Sequence, residues 1–409
     1  MKKFCIQNNQ EIYKLTRSSD YIPIRNYIGG GKWEFSDQVL QKLTGQIVRS
    51  NYNPRLPIQI IEIPNLLPNK KVFGLFWGTP TFKDADCNYL LHIFDDNDID
   101  YVVSPSSGNT VEGMARALRN YNVKMGKNIR AILLVPELSA YKVSRNVTEN
   151  NPYVKFVVLK NSTLDRTRVF AKRLIDLLSS NYKVIHANPD VKTAAYAQIG
   201  FILRENSLLS NDTCYVQTVS GGVGPAGLIE AAYKFNLNPE ILVVQPLNRR
   251  TSPIIDALNA HSRGYNPLSV FENIKYATSQ IEPTLGSGKP VYAINKYIQW
   301  RENGGRIVPA KINEENLNYY KNKILNCLVK ARIYPNTEIG MKFFDIEKSG
   351  FMAFVGAMIY ANNIKAKEVI INFTGRYPDP NEIFPKSATP DIIFNRSKCV
   401  EDLIRRLEI

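Results

Sequence analysis

Paired cysteines are the first thing missing from this 409-residue sequence. Cys5, Cys87, Cys214, Cys327 and Cys399 lie far apart, are odd in number and form no CxxC pair. That spacing supplies neither a disulfide framework nor a zinc site. Histidine is scarcer still, with His92, His186 and His261 the whole complement and none spaced i, i+4, so no metal is expected. Long hydrophobic runs are also missing. The longest, FMAFVGAMIYA at 351–361, is too short to span a bilayer and reads as a buried helix. The opening MKKFCIQNNQEIYK turns polar before an apolar core forms, so no secretory leader is expected. A net charge of +15 comes without any block of like charges. Scattered lysine and arginine argue against a nucleic-acid partner and for a basic surface, with at most an attraction for small anions. A cytoplasmic protein with neither membrane nor nucleic acid as partner is therefore expected.

What is present is an ordinary globular composition, 44% hydrophobic and 22% charged, on a chain long enough for two or three domains. From about residue 100, short β-branched runs alternate with helical patterns. YVVSP, RAILLVP, VKFVVLK, YKVIHA, TCYVQTVS, EILVVQP and KEVIINF read as strands. TVEGMARALRNY, TLDRTRVFAKRLIDLLSS, PAGLIEAAYKF and GFMAFVGAMIYANN read as helices, with Val169, Leu174, Leu177 and Leu178 as the apolar repeat of the second. Strand–helix alternation over this length predicts an α/β fold, with parallel-rich sheets flanked by helices. Nearly continuous apolar strands fit burial on both faces. Residues 247–309, with TLGSGKP and ENGGR, are less regular and are expected to contain surface loops and substrate-facing connections.

Four local signals carry chemistry. In GTPTFKDADCNY, Lys83 stands where the apolar run KVFGLFW meets a helix-compatible run, either as one more solvated lysine or as a reactive amine. Ser220-Gly221-Gly222-Val223-Gly224 joins a strand to a helix with Pro225 in its first turn. Close glycines let backbone N–H groups converge at a helix N-terminus, which suits a phosphate, although a tight turn needs the same residues. Gly222, Gly224 and Gly227 also spell GxGxxG, but the next strand ends in Gln245 rather than the acid a dinucleotide ribose requires. Ser106, Ser107, Gly108, Asn109 and Thr110 lie between a strand and a helix. They offer donors to a carboxylate and a side chain to a ring hydroxyl, or simply a helix cap. Thr374-Gly375 ends a buried strand, and a hydroxyl there can face a heteroaromatic nitrogen or merely close the strand. An amine for an aldehyde, a phosphate loop and two groups bracketing a ring are what pyridoxal 5'-phosphate needs.

The succession TFKD, SSGNT, glycine loop and C-terminal TG resembles the tryptophan-synthase-β-like family of fold-type-II pyridoxal-phosphate enzymes. Within that group it is similar to threonine synthase and, more strongly, to cysteate synthase. TPTFKDAD, VVSPSSGNTVEGMA, VQTVSGGVGPAGLIEAA, VVQPLNRRTSPIIDAL and VIINFTG carry the likeness, which spans residues 70–380. The resemblance implies a large domain from 1–96 plus 190–409 and a small mobile domain at 97–189, with the cofactor in the cleft and closure excluding water. It implies that Lys83 forms the Schiff base and moves the α-proton, and that 106–110 hold the substrate carboxylate with Asn109 on the ring hydroxyl. Gly221, Gly222, Val223 and Gly224 would bind the cofactor phosphate, and Thr374 would face the pyridine nitrogen and leave it unprotonated, which favours elimination and replacement over transamination.

Two departures bear on the substrate. Gly222 and Val223 stand where the family's phosphate loop usually carries a threonine, and Arg376 and Tyr377 where related loops are often glycine-rich. Lys142 and Arg145 in PELSAYKVSR are candidates for a phosphate leaving-group pocket, or are plain surface charges. The implied activity is that of a lyase or transferase of amino-acid biosynthesis. It would perform β-elimination and β-replacement on an activated amino acid, O-phosphoserine foremost, through an aminoacrylate, with a homodimer expected. The alternatives are β,γ-replacement on O-phosphohomoserine and a pyridoxal-phosphate-binding protein without turnover, against which intact Lys83, Asn109 and Thr374 stand.

Overall fold

In chain order the strands are β1 Tyr27–Ile28, β2 Ile58–Glu62, β3 Lys71–Trp77, β4 Tyr101–Pro105, β5 Arg130–Pro136, β6 Val154–Lys160, β7 Val184–Ile185, β8 Thr213–Thr218, β9 Glu240–Pro246, β10 Ile307–Ile312, β11 Glu368–Asn372 and β12 Ile392–Asn395. This computed structural model describes residues 27–28, 34–52, 54, 58–77, 81–95, 97–106, 108–272, 274–277, 279–375 and 387–409. The strands form two sheets, one in each of two compact units. The larger unit draws on Met1–Thr44, Arg55–Phe82 and Lys192–Phe384, the smaller on Gly45–Pro54, Lys83–Val191 and Pro385–Ile409.

The larger unit's sheet has the order β1-β2-β3-β11-β8-β9-β10. Its last five strands are parallel, while β1 and β2 add antiparallel at one edge. β8 and β9 are buried along their whole length, which is why TCYVQT and EILVVQP show no polar alternation. One face is covered by the helix Lys348–Ile359, apolar all round and buried from Ser349 to Met358. Its Phe351 and Phe354 pack with Phe76 and Phe373, at ring separations of 5.4–6.4 Å. Parallel pairing brings the C-terminal ends of β3, β11, β8 and β9 to one edge, where ligands of open α/β sheets bind.

The smaller unit's sheet, β12-β6-β5-β4-β7, is parallel throughout. Tyr101, Val103, Ile132, Leu134, Val157 and Leu159 form its core with the helices Leu164–Leu178 and Val400–Leu407. The unit differs in extent from 97–189: it begins at Lys83 and takes in 45–54 and 385–409. The cause is long-range pairing, with β12 running beside β6 and Asp95 holding the Ser50–Tyr52 stretch. Asp95 Oδ2 accepts the Asn51 and Tyr52 N–H groups at 2.8 and 3.1 Å, and Oδ1 accepts the Tyr121 hydroxyl at 2.8 Å.

Two local readings need correction. Val169 and Leu177 are 59% and 38% exposed, because the buried row of Leu164–Leu178 is Leu164, Thr167, Phe170, Ala171, Leu174 and Leu178. YKVIHA contributes only the two residues of β7. The less regular stretch 247–309 also contains the helices Pro253–Ser262 and Val291–Glu302. Among the described residues, no helix is long and apolar enough to cross a membrane.

Candidate active site

In the smaller unit, half-buried Lys83 immediately precedes the helix Asp84–Ile93, and its carbonyl accepts the Cys87 N–H at 3.1 Å. The helix Asn109–Met125 packs against this start through Gly113. A Cβ on Gly113 would stand 2.8 Å from Asp84 Oδ1 and 3.2 Å from the Lys83 carbonyl carbon, so a side chain has no room. Arg116 lies less than one turn further on and grips the buried Asp84 carboxylate with both ends of its fork, at 3.1 and 3.2 Å. Removing Arg116 would take the ion-pair partner from a buried carboxylate. Cys87 Sγ meets the Thr110 carbonyl at 3.5 Å. Lys83 and the Asn109–Thr110 helix start are thereby brought together. A glycine in the middle of VEGMARAL was the signal for this close approach.

β4 runs directly into the turn. Ser106 is buried, its N–H donates to the Leu134 carbonyl at 3.0 Å and its Oγ accepts the Gly108 N–H at 3.2 Å. Gly108 has φ +122° and ψ −67°, a conformation that favours glycine. Ser107 lies outside the described residues. Asn109 and Thr110 open a 17-residue helix, so their N–H groups have no intrahelical acceptor and stand at its positive end. That geometry fits a carboxylate.

Lys142 and Arg145 part company. Lys142, only 8% exposed, ends the short 3-10 turn Glu137–Lys142, and its Cβ lies 3.1 Å from where a Gly108 Cβ would be. Its neighbours are pinned: buried Glu112 accepts the Ser144 N–H at 2.6 Å, Ser387 Oγ donates to the Tyr141 carbonyl at 2.9 Å, and the Ala388 N–H donates to the Val143 carbonyl at 2.8 Å. Arg145 is exposed and pairs with Glu149 one turn along. Glu112 carried no sequence signal, since a glutamate in the first turn of a helix is ordinary.

In the larger unit, Val219 extends the β8–β9 ladder by donating to the Val244 carbonyl at 2.9 Å, and the glycine loop follows. Gly222 has φ +76°. A Cβ there would lie 2.5 Å from Ala293 Cβ and 2.9 Å from Ile254 Cδ1. Tyr297 donates its hydroxyl to the Gly222 carbonyl at 2.5 Å, and burial keeps that phenol protonated by pushing its pKa well above the usual value. The Ser287 N–H donates to Ser220 Oγ at 3.1 Å. Beyond Gly222 the helix Val223–Lys234 begins, so Val223 and Gly224 present first-turn N–H groups. A backbone cradle at a helix N-terminus, with no room for a side chain at Gly222 or Gly224, fits a phosphate, and so fits the phosphate end of pyridoxal 5'-phosphate. Gln245 is already engaged: its Oε1 accepts the Ile254 and Ile255 N–H groups at 3.0 and 3.3 Å, capping the next helix. A ribose-binding role at that strand end is thereby disfavoured.

Thr374 is buried just past β11, and Gly375 touches the buried Glu347, whose Oε2 would be 2.8 Å from a Cβ there. Arg376 and Tyr377 lie outside the described residues.

No protein-family model and no curated protein matches the sequence. Solved structures match it by fold. Threonine synthase from Escherichia coli is similar with a TM-score of 0.63 and 12% identity, covering 98% of this chain and 91% of that one. Maize serine racemase is similar with a TM-score of 0.56 and 15% identity, covering 85% and 94%. A pyridoxal 5'-phosphate-dependent aspartate racemase is similar with a TM-score of 0.54 and 16% identity, covering 85% and 96%. At these identities the likeness is one of architecture: the chain has the α/β fold of the fold-type-II pyridoxal-phosphate enzymes.

Proposed function

We propose that this protein is a pyridoxal-phosphate-dependent enzyme that eliminates and replaces a β-substituent on an activated amino acid. The observation that carries the reading is Gly113, which packs the start of the Lys83 helix against the Asn109–Thr110 helix start. An amine and a carboxylate-binding turn are thus neighbours, as an enzyme of α-amino acids requires. The cofactor, when bound, supplies an aldehyde for the lysine and a ring that takes up the electron pair left at Cα.

The chain's own groups then have definite tasks. Lys83 Nζ carries the cofactor and moves the proton at the substrate Cα. Ser106, Ser107, Gly108, Asn109 and Thr110 bind the substrate carboxylate, with Asn109 also set towards the ring hydroxyl. Gly221, Gly222, Val223 and Gly224 hold the cofactor phosphate by backbone donors. Thr374 offers a neutral hydroxyl to the ring nitrogen and so disfavours transamination. Lys142 pairs with an anionic leaving group, which makes O-phosphoserine the favoured first substrate. Lys83 takes the Cα proton, phosphate departs with the Cβ–O electron pair, and a nucleophile, sulfite in a cysteate-synthase-like reaction, bonds to Cβ while Lys83 returns a proton to Cα. A second reading, β,γ-replacement on O-phosphohomoserine, is supported by the near full-length likeness to threonine synthase. We place the protein in the cytoplasm as a homodimer.

Borohydride reduction of the protein loaded with pyridoxal phosphate, followed by peptide mapping, is expected to label Lys83. A label on another lysine overturns the assignment. Phosphate release is expected from O-phosphoserine or O-phosphohomoserine. Turnover of O-acetylserine or serine with no release from either phosphorylated substrate overturns the leaving-group reading.

A further inference from the structure

Beneath the glycine loop the larger unit buries four polar side chains to which no role is assigned above: Trp77, Tyr215, Gln217 and Asn372. They come from three neighbouring strands, β3, β8 and β11, with Asn372 in register with both Leu75 and Gln217. Their donors and acceptors admit one arrangement. An indole nitrogen only donates, so the atom of Asn372 that lies 3.0 Å from Trp77 Nε1 must be Oδ1. Asn372 Nδ2 then faces the other way and donates to Tyr215 Oη at 2.8 Å and to Gln217 Oε1 at 3.1 Å. Tyr215 is kept protonated by burial, which pushes its pKa far above the usual phenol value. It accepts from Asn372 and gives its own proton to Gln217 Oε1 at 2.8 Å. Two donors on Oε1 fix the Gln217 amide, which lies flat against Gly224, with Nε2 only 2.4 Å from where a Cβ would stand.

We infer that this one-way chain, from Trp77 through Asn372 and Tyr215, makes Gln217 a positioning residue for phosphate binding. The chain keeps the N–H end of the amide, rather than its oxygen, nearest Gly224 beneath the first turn of Val223–Lys234. The amide dipole then adds to the positive helix terminus. It also explains why position 224 is glycine: any side chain would push the amide away. The inference rests on the reading of the glycine loop as the cofactor-phosphate site and adds a residue that touches neither cofactor nor substrate.

The test compares the affinities of pyridoxal phosphate and of pyridoxal, which lacks the phosphate, for the whole protein. Asn372→Asp keeps the acceptor for Trp77 but puts a carboxylate oxygen where Nδ2 was. The Gln217 amide then turns its Nε2 to that carboxylate and its oxygen outward. Pyridoxal phosphate is expected to bind roughly fivefold more weakly, the scale of a partial charge at a helix terminus, while pyridoxal changes by less than about twofold. Gln217→Met keeps the volume, removes the amide and should lower the same ratio. If both affinities fall together, or neither moves, Gln217 only packs and the inference is overturned. If Asn372→Asp fails to give a native circular dichroism spectrum, Gln217→Met decides by the same ratio. If the unaltered protein does not prefer pyridoxal phosphate to pyridoxal, the reading of the loop itself fails, a separate outcome.

Discussion

The glycine loop of the larger unit and the Ser106–Thr110 turn of the smaller one solve the same local problem. Each joins a buried parallel strand to a helix N-terminus through a glycine with positive φ, +76° at Gly222 and +122° at Gly108. They differ in what presses on that glycine. Ala293, Ile254 and Tyr297 all stand within 3.1 Å of the Gly222 Cβ position, and Tyr297 also holds its carbonyl. Gly108 meets the Lys142 Cβ at 3.1 Å and the Ser139 carbonyl at 3.6 Å. A loop walled in by packed side chains suits a group that stays, such as a cofactor phosphate. A turn edged by one lysine and a short strap suits a ligand that enters and leaves.

The largest expected effect is at Lys83, the proposed carrier of the cofactor. Lys83→Ala should lose on the order of 10²–10⁴-fold in turnover, the scale of a positioned acid–base group, and should lose the borohydride-stable label. Next comes the pair Gly222→Ala and Gly108→Ala. Overpacking at Gly222 should cost roughly 1–3 kcal/mol, visible in urea unfolding, and weaken cofactor binding. At Gly108 the strain of the left-handed backbone dominates, of order 1–3 kcal/mol, and KM for the amino acid should rise while cofactor affinity holds. If both variants impair cofactor binding equally, the contrast between clamp and turn is broken.

Much of the frame was legible because burial on both faces leaves a plain mark. RAILLVP, VKFVVLK and EILVVQP coincide with β5, β6 and β9. The glycine loop and the Ser106–Thr110 turn were legible for a related reason, since glycine and hydroxyl residues at strand–helix junctions answer local backbone demands. What was not legible depends on partners distant in sequence. β12 joins a sheet more than 200 residues away in the chain, through pairs such as Phe394 with Leu159, and nothing in IIFN names that partner. Lys142 and Arg145 look alike in PELSAYKVSR, and what separates them is packing against Gly108 and bonds with Glu112, Ser387 and Ala388, all distant in sequence. Val169 and Leu177 were misplaced because an apolar repeat fixes a helix more securely than it fixes which edge of the stripe faces inward.

Acid should act on the smaller unit through Asp95. Burial alone would raise the Asp95 carboxyl, but hydrogen bonds from Tyr121, Asn51, Tyr52 and Ser50 outweigh it and hold the pKa below the usual carboxylate value. A depressed folded pKa contributes stability that is fully present above the unfolded value of about 3.9 and disappears as pH falls through the folded value. The smaller unit should therefore loosen at a pH below about 4. Asp95→Asn should cost about 1.5–3 kcal/mol at neutral pH, the range for hydrogen bonds to a charged group, and flatten that acid limb. Urea unfolding at neutral and acid pH measures both. An unchanged acid limb in the variant would mean that some other carboxylate governs it.

The smallest effect is expected at Arg145, and it is informative because Lys142 stands three residues earlier. Arg145 is exposed and makes an i, i+4 pair with Glu149, an interaction worth roughly 0.3–0.5 kcal/mol in a surface helix. Arg145→Ala should shift stability by no more than that and leave KM for a phosphorylated amino acid within about twofold. Lys142 is buried beside Gly108, with its neighbours held by Glu112, Ser387 and Ala388. Lys142→Met keeps much of the side-chain volume while removing the charge. It should raise that KM on the order of tenfold, the scale of one charge-assisted hydrogen bond. The same variant should handle an uncharged leaving group, such as that of O-acetylserine, much as the unaltered protein does. Steady-state kinetics on both substrates with both variants gives four numbers. If Arg145→Ala raises KM as much as Lys142→Met does, the anion is read at the surface of the smaller unit rather than at the buried turn, and Lys142 is a packing residue.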